Sequence, residues 1–437
     1  MSTCRSKEGN SAHDLVLLHH DKETKRRPYG GSARAGMGRS PCFRKRPREK
    51  AAASIAPVER DARRPVETAR APNAAGVAGR QPRRSQELKV PRIDRPVFRC
   101  AVCLGPVHVK FFQCPSCRHP VSFEHVACAN CSTELAFDSS RIEMTKLASH
   151  QACRNREIIG CNWCVEGADW YCGSCRLTRT TPNLGSTRNV MLWRRMEEAK
   201  RRLLYDLSRL RLPLASRSGA ALAFDILSDE ASPILTGHLS GLITLSLAEA
   251  DDVERESRRV AFREPYRTLL GHFRHEIGHF YWDLLVDGTT FQAPFKLIFG
   301  DQAQDYQAAI NSYYSRADRS YDRSGFISEY ATSHPWEDWA ETFAHFLHIV
   351  STLDSLAGLP LALDERARQT LTDPYLESDF EALLALWMPL ARSINELNRS
   401  LGMSEAYPFD ISPAVKGKLH LVHMAISAFR DQQSLAA

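Results

Sequence analysis

A chain of 437 residues, 43% apolar and 25% charged, is long enough for two or three folded units and ordinary enough in composition to be globular. It has no run of about 18 apolar residues, which excludes a membrane-spanning helix. It also has no apolar stretch and cleavage site of the secretory kind near its start, so the expected location is cytoplasmic.

The net charge of +7 is concentrated at one end: residues 1–96 hold 23 Lys and Arg against 10 Asp and Glu, leaving the remainder mildly acidic. This leader is rich in Arg, Pro, Ala, Gly and Ser and lacks apolar periodicity. It buries too little surface to offset ordering entropy, so 1–96 is expected to be disordered. Its charge suits loose contact with nucleic acid or an anionic membrane, but a solvated tail is the favoured reading.

Residues 97–180 are cysteine-rich, with short β-like runs such as Val107–Phe112. Eleven of the thirteen cysteines lie between Cys100 and Cys175, and ten of these form Cys-x-x-Cys pairs. Without a secretory signal, that pattern argues for metal thiolates over disulfides. Cys114, Cys117, Cys128 and Cys131 have the spacing of one structural zinc site. Cys153, Cys161, Cys172 and Cys175 form a second, with Cys164 competing for a place. Cys100 and Cys103 are a further pair without assigned partners. A module this small depends on its metal for much of its folding free energy.

From Met191 to Leu210 apolar residues recur at helical spacing, ending before Pro213. Ala223–Leu227 and Gly241–Leu247 read as strands, and the pattern beyond Glu249 is mostly helical to Arg430. The expected class is therefore α+β: a disordered leader, a small cysteine-rich zinc module over 97–180, and a mostly helical catalytic domain over 190–430.

The sharpest signal is His275-Glu276-Ile277-Gly278-His279. Positions i and i+4 share a helix face, so the two imidazoles can bind one metal, and Glu276 can reach an activated water as general base. Catalytic zinc wants a third protein ligand. It is sought in His334-Pro335-Trp336-Glu337-Asp338-Trp339-Ala340-Glu341, where Pro335 suits a first helical turn. Glu337 is the chosen ligand and Glu341 the alternative. If Glu341 does not ligate, it is expected to hold a ligand histidine in its tautomer, a task for which Asp283 is also a candidate. Asp338 projects about 100° away and is expected to cap or orient. Tyr330 is the candidate donor to the developing oxyanion, with His334 as the alternative.

These stretches resemble the bacterial zinc-binding metallopeptidases that carry an N-terminal zinc ribbon. The likeness runs from Val109 to about residue 425 and includes Cys161-Asn162-Trp163, Cys172–Thr180, Thr236-Gly237-His238, Ala248-Glu249-Ala250-Asp251 and Leu397-Asn398-Arg399-Ser400. It leaves residues 1–108 without a counterpart. It implies a zinc ribbon joined to a zincin-type domain with peptidase activity. The Tyr330, Glu337 and Glu341 spacing also resembles lethal-factor-like gluzincins, which implies ligation by Glu337 and oxyanion binding by Tyr330.

The leading expectation is a zinc metallopeptidase with one catalytic and two structural zinc ions, acting on a peptide or protein. The alternative is a nucleic-acid- or protein-binding ribbon module whose hydrolase domain is degenerate or regulatory. Residues 241–247 are expected to align an extended substrate by strand addition.

Overall fold

Short hairpins open the part of the chain that the computed structural model describes, residues 111–436 without 218, 230–233, 235, 263, 319 and 360–364. The leader, Cys100 and Cys103 lie outside the described residues. Strand β1 (Phe111–Gln113) pairs antiparallel with β2 (Pro120–Ser122), and β3 (Leu135–Asp138) with β4 (Glu143–Lys146). A third, two-residue pairing joins β5 (Gln151–Ala152) to β6 (Cys164–Val165). Two single-turn helices, α1 (Arg156–Ile159) and α2 (Gly173–Arg176), lie between and after these last strands.

So little secondary structure cannot close a core alone, and this module borrows one. The rings of Phe123 and Phe137 meet Tyr205 at 5.2 and 6.1 Å between centroids. Tyr205 belongs to α3 (Thr187–Arg209), a long helix capped by the Ser186 hydroxyl. Polar ties reinforce the joint: Arg202 pairs with Glu124 at 2.5 Å and Arg194 donates to the Ile159 carbonyl at 3.2 Å. The buried side chains of ribbon and helices form one continuous apolar cluster.

Helix α3 lies where its periodicity placed it, and Ala199, Leu207 and Leu210 are buried as the apolar spacing requires. Leu192, Trp193, Met196 and Leu203 are buried, whereas Met191 is half exposed. After it come β8 (Ala223–Leu227), β9 (Gly237–Leu239) and β10 (Leu242–Ser246), which join β7 (Thr178–Thr180) in a sheet of order β7-β8-β10-β9. Strand β7 comes from the end of the cysteine-rich segment, so the sheet is shared across the linker. Strand β10 pairs with β8 on one side and with β9 on the other. Its expected role as a docking edge is therefore overturned: its backbone groups are already spent, and Ile243 and Leu245 are fully buried. Among the described residues the edge strands are β7 and β9, and β9 is joined to β10 through a two-residue turn whose Ser240 and Gly241 both have positive φ, as hairpin turns of this twist require.

The rest is helical: α4 (Asp252–Phe262), α5 (Leu269–Leu285), α6 (Gln292–Ile298), α7 (Tyr306–Ser315), α8 (Pro335–Ala357), α9 (Glu365–Thr370), α10 (Phe380–Ser400) and α11 (Pro413–Ala436). Helix α5 carries the histidine motif and buries Phe273, Ile277, Phe280 and Tyr281. It lies hard against α8. A Cβ on Gly278 would fall 2.9 Å from the Ala340 Cα, so only glycine permits this approach. The Trp339 indole donates to the Gly278 carbonyl at 3.0 Å and fixes the register of the two helices. Buried charges are paired: Arg274 with Asp206 at 2.6 Å, and Lys418 with Asp338 at 2.6 Å. Among the described residues no helix is long and apolar enough to cross a membrane.

Candidate metal centre and its surroundings

Helix α5 presents His275 and His279 on one face, one turn apart, and α8 presents Glu337 from its first turn. The His275 Nε2 lies 3.0 Å from Glu337 Oε2 and 3.2 Å from His279 Nε2, and the His279 Nε2 lies 3.4 Å from the same carboxylate oxygen. Zinc bonds of about 2.0–2.1 Å in a tetrahedron set ligand atoms about 3.3 Å apart, so the three donors match three corners. Two imidazole nitrogens facing each other beside a buried carboxylate make sense chemically around a cation. Burial favours the neutral acid at Glu337, yet the His279 and His275 rings hold its carboxyl well below the usual range.

Glu341 stands one turn further along α8, on the outer side of His275. Its Oε1 lies 2.7 Å from His275 Nδ1, and its Oε2 accepts from the Ser328 hydroxyl at 2.6 Å. A proton on Nδ1, held by that carboxylate, leaves the Nε2 lone pair pointing at the centre. Of the two glutamates considered as third ligand, Glu337 faces the inner nitrogen and Glu341 the outer one.

Glu276 is almost fully buried and lines a cavity of ≈ 140 Å³ together with His272, His275, Tyr330, Glu337 and Glu341. One carboxylate oxygen lies 3.2 Å from His272 Nε2, and the other has no hydrogen-bond partner among the described residues. Tyr330 sits in the short 3₁₀ turn Tyr330–Thr332 ahead of α8. Its ring centroid lies 5.7 Å from that of His275. Burial, and then the charge of Glu337, push its hydroxyl pKa well up, so it is a neutral donor.

The cysteines gather as two sets of four. In the first, Sγ atoms of Cys114 and Cys131 lie 3.6 Å apart, and those of Cys117 and Cys128 lie 3.7 Å apart. In the second, Cys161 lies 3.6 Å from Cys172 and 3.8 Å from Cys175, with Cys153 completing the set. Tetrahedral zinc with sulfur at about 2.3 Å gives edges of about 3.8 Å. Both sets fit.

Comparison with known proteins agrees with these sites. Residues 111–186 match the model of a zinc-ribbon domain, and residues 189–425 match the family described as "Putative zinc-binding metallo-peptidase". The chain belongs to this zinc-binding metallopeptidase family. An uncharacterized protein of Mycobacterium tuberculosis and one of Mycobacterium bovis are each 41% identical to it over 302 residues, spanning 67% of this chain and 88% of the relative. No solved structure matches.

Two expected neighbours of the histidine and glutamate centre, and one expected competitor in the second cysteine set, are placed differently. His334 does not face the cavity as a donor. It precedes Pro335 and caps α8, its Nδ1 accepting the Trp336 N–H at 3.1 Å while its Nε2 meets the Gln304 carbonyl at 3.3 Å. Asp283 does not orient His279, whose Nδ1 is buried without a hydrogen-bond partner among the described residues. Asp283 instead lines a second cavity of ≈ 940 Å³ beside β9 and Trp336. Cys164 stays outside the second cysteine set, and burial pushes its thiol pKa up to about 12.

Two contributors escaped the sequence. The Tyr306 hydroxyl donates to Glu337 Oε1 at 2.8 Å, which leaves Oε2 for the metal. Trp336 lays its ring 4.0 Å from that of His279. Tyr306 opens a separate helix 31 residues before Glu337, and no spacing rule connects them.

Proposed function

We propose that this chain is a zinc-dependent peptidase that hydrolyses peptide bonds with Glu276 as general base. The observation that carries the reading is the convergence of His275, His279 and Glu337 beside a buried glutamate that lines a cavity and has one oxygen without a partner among the described residues. His275, His279 and Glu337 would hold the catalytic zinc, and the two cysteine sets would hold structural ones. When bound, the catalytic ion supplies Lewis-acid polarisation of a carbonyl and lowers a water's pKa towards about 7.

The chain's own groups do the rest. Glu276 takes the proton of the attacking water on its unpartnered oxygen and hands it to the leaving amine. The Tyr330 hydroxyl donates to the oxygen on which negative charge develops. Glu341 and Tyr306 hold His275 and Glu337 in line. Trp336 and the apolar flank of α5 keep bulk water from the ligands. The substrate is a peptide or protein segment whose scissile bond enters the cavity lined by Glu276 and Tyr330, with β9 and the second cavity as the flanking surface. The place of action is the cytoplasm, where zinc thiolates persist without a disulfide framework.

Incubating the zinc-loaded protein with a mixed peptide library, beside Glu276→Ala and Tyr330→Phe variants, tests this. Cleavage is expected from the parent, none from the first variant, and a loss of about 10²–10³ from the second. Equal cleavage by parent and Glu276→Ala would refute the reading.

A further inference from the structure

Beside the metal centre lies a second polar chain that the ligand set does not use. It begins at Glu249, in the 3₁₀ turn Leu247–Ala250 that follows β10. Glu249 is 1% exposed, and one of its oxygens is clamped by Arg258 at 2.6 Å and Arg267 at 2.8 Å. Its other oxygen lies 3.4 Å from His272 Nδ1. His272 stands on α5 one turn before Glu276, so the two side chains share a face, and its Nε2 lies 3.2 Å from Glu276 Oε1.

We infer that His272, paired with Glu249, is a positioning residue that holds one oxygen of Glu276 and leaves the other unpartnered at the cavity that Glu276 lines. This rests on the reading of Glu276 as a general base. The two oxygens of a glutamate are equivalent until something distinguishes them, and here only Oε1 has a partner. Burial would strip His272 of its proton, but Glu249 and Glu276 on either side outweigh it and push the imidazole pKa up to about 9. A ring protonated at both nitrogens carries a donor on the side of each carboxylate; toward Glu249 the 3.4 Å contact is an ion pair without a formed hydrogen bond. The Arg258 and Arg267 clamp keeps Glu249 in place. This gives the Ala248-Glu249-Ala250-Asp251 stretch a purpose at the site, through a turn otherwise remote from α5 in sequence.

The alternative is that His272 merely satisfies a buried Glu249. Zinc-loaded His272→Phe, His272→Gln and Glu249→Gln separate the two. In His272→Phe the donor to Glu276 is lost; in His272→Gln an amide N–H takes its place. Turnover of a library-derived peptide is expected to fall about 10–100-fold in His272→Phe, with KM within about twofold, zinc content unchanged, and most of the rate restored in His272→Gln. Glu249→Gln, should His272→Phe fail to fold, is expected to lower kcat in the same sense. Affinity for acetohydroxamate gives a second readout, because a hydroxamic acid hands its proton to the carboxylate beside the metal. It should weaken about tenfold or more in His272→Phe, as in Glu276→Gln. Unchanged kcat and unchanged hydroxamate affinity in both His272→Phe and Glu249→Gln would overturn the positioning role. A parent that cleaves nothing while its hydroxamate affinity still depends on His272 would sink the peptidase reading and leave the positioning role standing.

Discussion

His345 shows how the site's surroundings set its tolerance of acid. The ring is buried on α8, one turn past Glu341, with its Nδ1 2.9 Å from the Tyr407 hydroxyl. Burial lowers its pKa to about 4, against the partial opposition of Glu341. The unfolded chain takes a proton at an ordinary histidine pKa, which the folded chain refuses until about pH 4. The unfolded state thus binds more protons across that window, and stability falls as pH drops from about 6.5 to about 4. Melting temperatures followed over this range should decline less steeply in His345→Gln than in the parent; identical slopes would contradict the assignment. At this scale the sequence revealed what lies within one helix. The i, i+4 pair His275 and His279 and the intervening Glu276 are legible because helical geometry forces them together. Glu337 was reached by its place on a second helix. Tyr306 and the Glu249 to His272 contact were not legible, since only the packing of distant elements creates them.

At the scale of elements, the sheet order decides where a substrate can lie. The alternation in Gly241–Leu247 correctly marked a strand, but a strand's apolar richness reports burial and carries no information on its neighbours. Strands β8 and β10 are both rich in buried apolar residues, and both are paired on either side. The Ser240-Gly241 dipeptide was the available sign of a hairpin, and with it of β9 on the outside. Peptide binding should therefore protect the amides of Gly237–Leu239 from hydrogen exchange while leaving Leu242–Ser246 unchanged. Protection confined to β10 would contradict the order. His334 follows the same logic: the residue before Pro335 is consumed by capping α8, which placed it out of reach of chemistry.

Across the whole molecule, ribbon and metallopeptidase domain are one core. The α+β class and the order of ribbon and helical domain were legible from cysteine spacing and helical periodicity. Their fusion through Phe123, Phe137 and Tyr205 was not, because an aromatic ring in sequence does not announce which partner it will meet. A structural zinc then stabilises more than the ribbon. Cys172→Ala, which removes a fully buried thiolate from the set nearest α3, should lower the melting temperature of the entire chain in a single transition. Two separated transitions, with the helical domain melting as in the parent, would show the units to be independent.

The claim beneath all of this is that two imidazoles and one carboxylate gather around a single ion, distinct from the two held by sulfur. Zinc content per chain, measured after exhaustive dialysis on the parent, Glu276→Ala and Glu337→Ala, tests it most directly. About three ions are predicted for the parent and for Glu276→Ala, and about two for Glu337→Ala. Two ions in the parent, or three retained in Glu337→Ala, would contradict it.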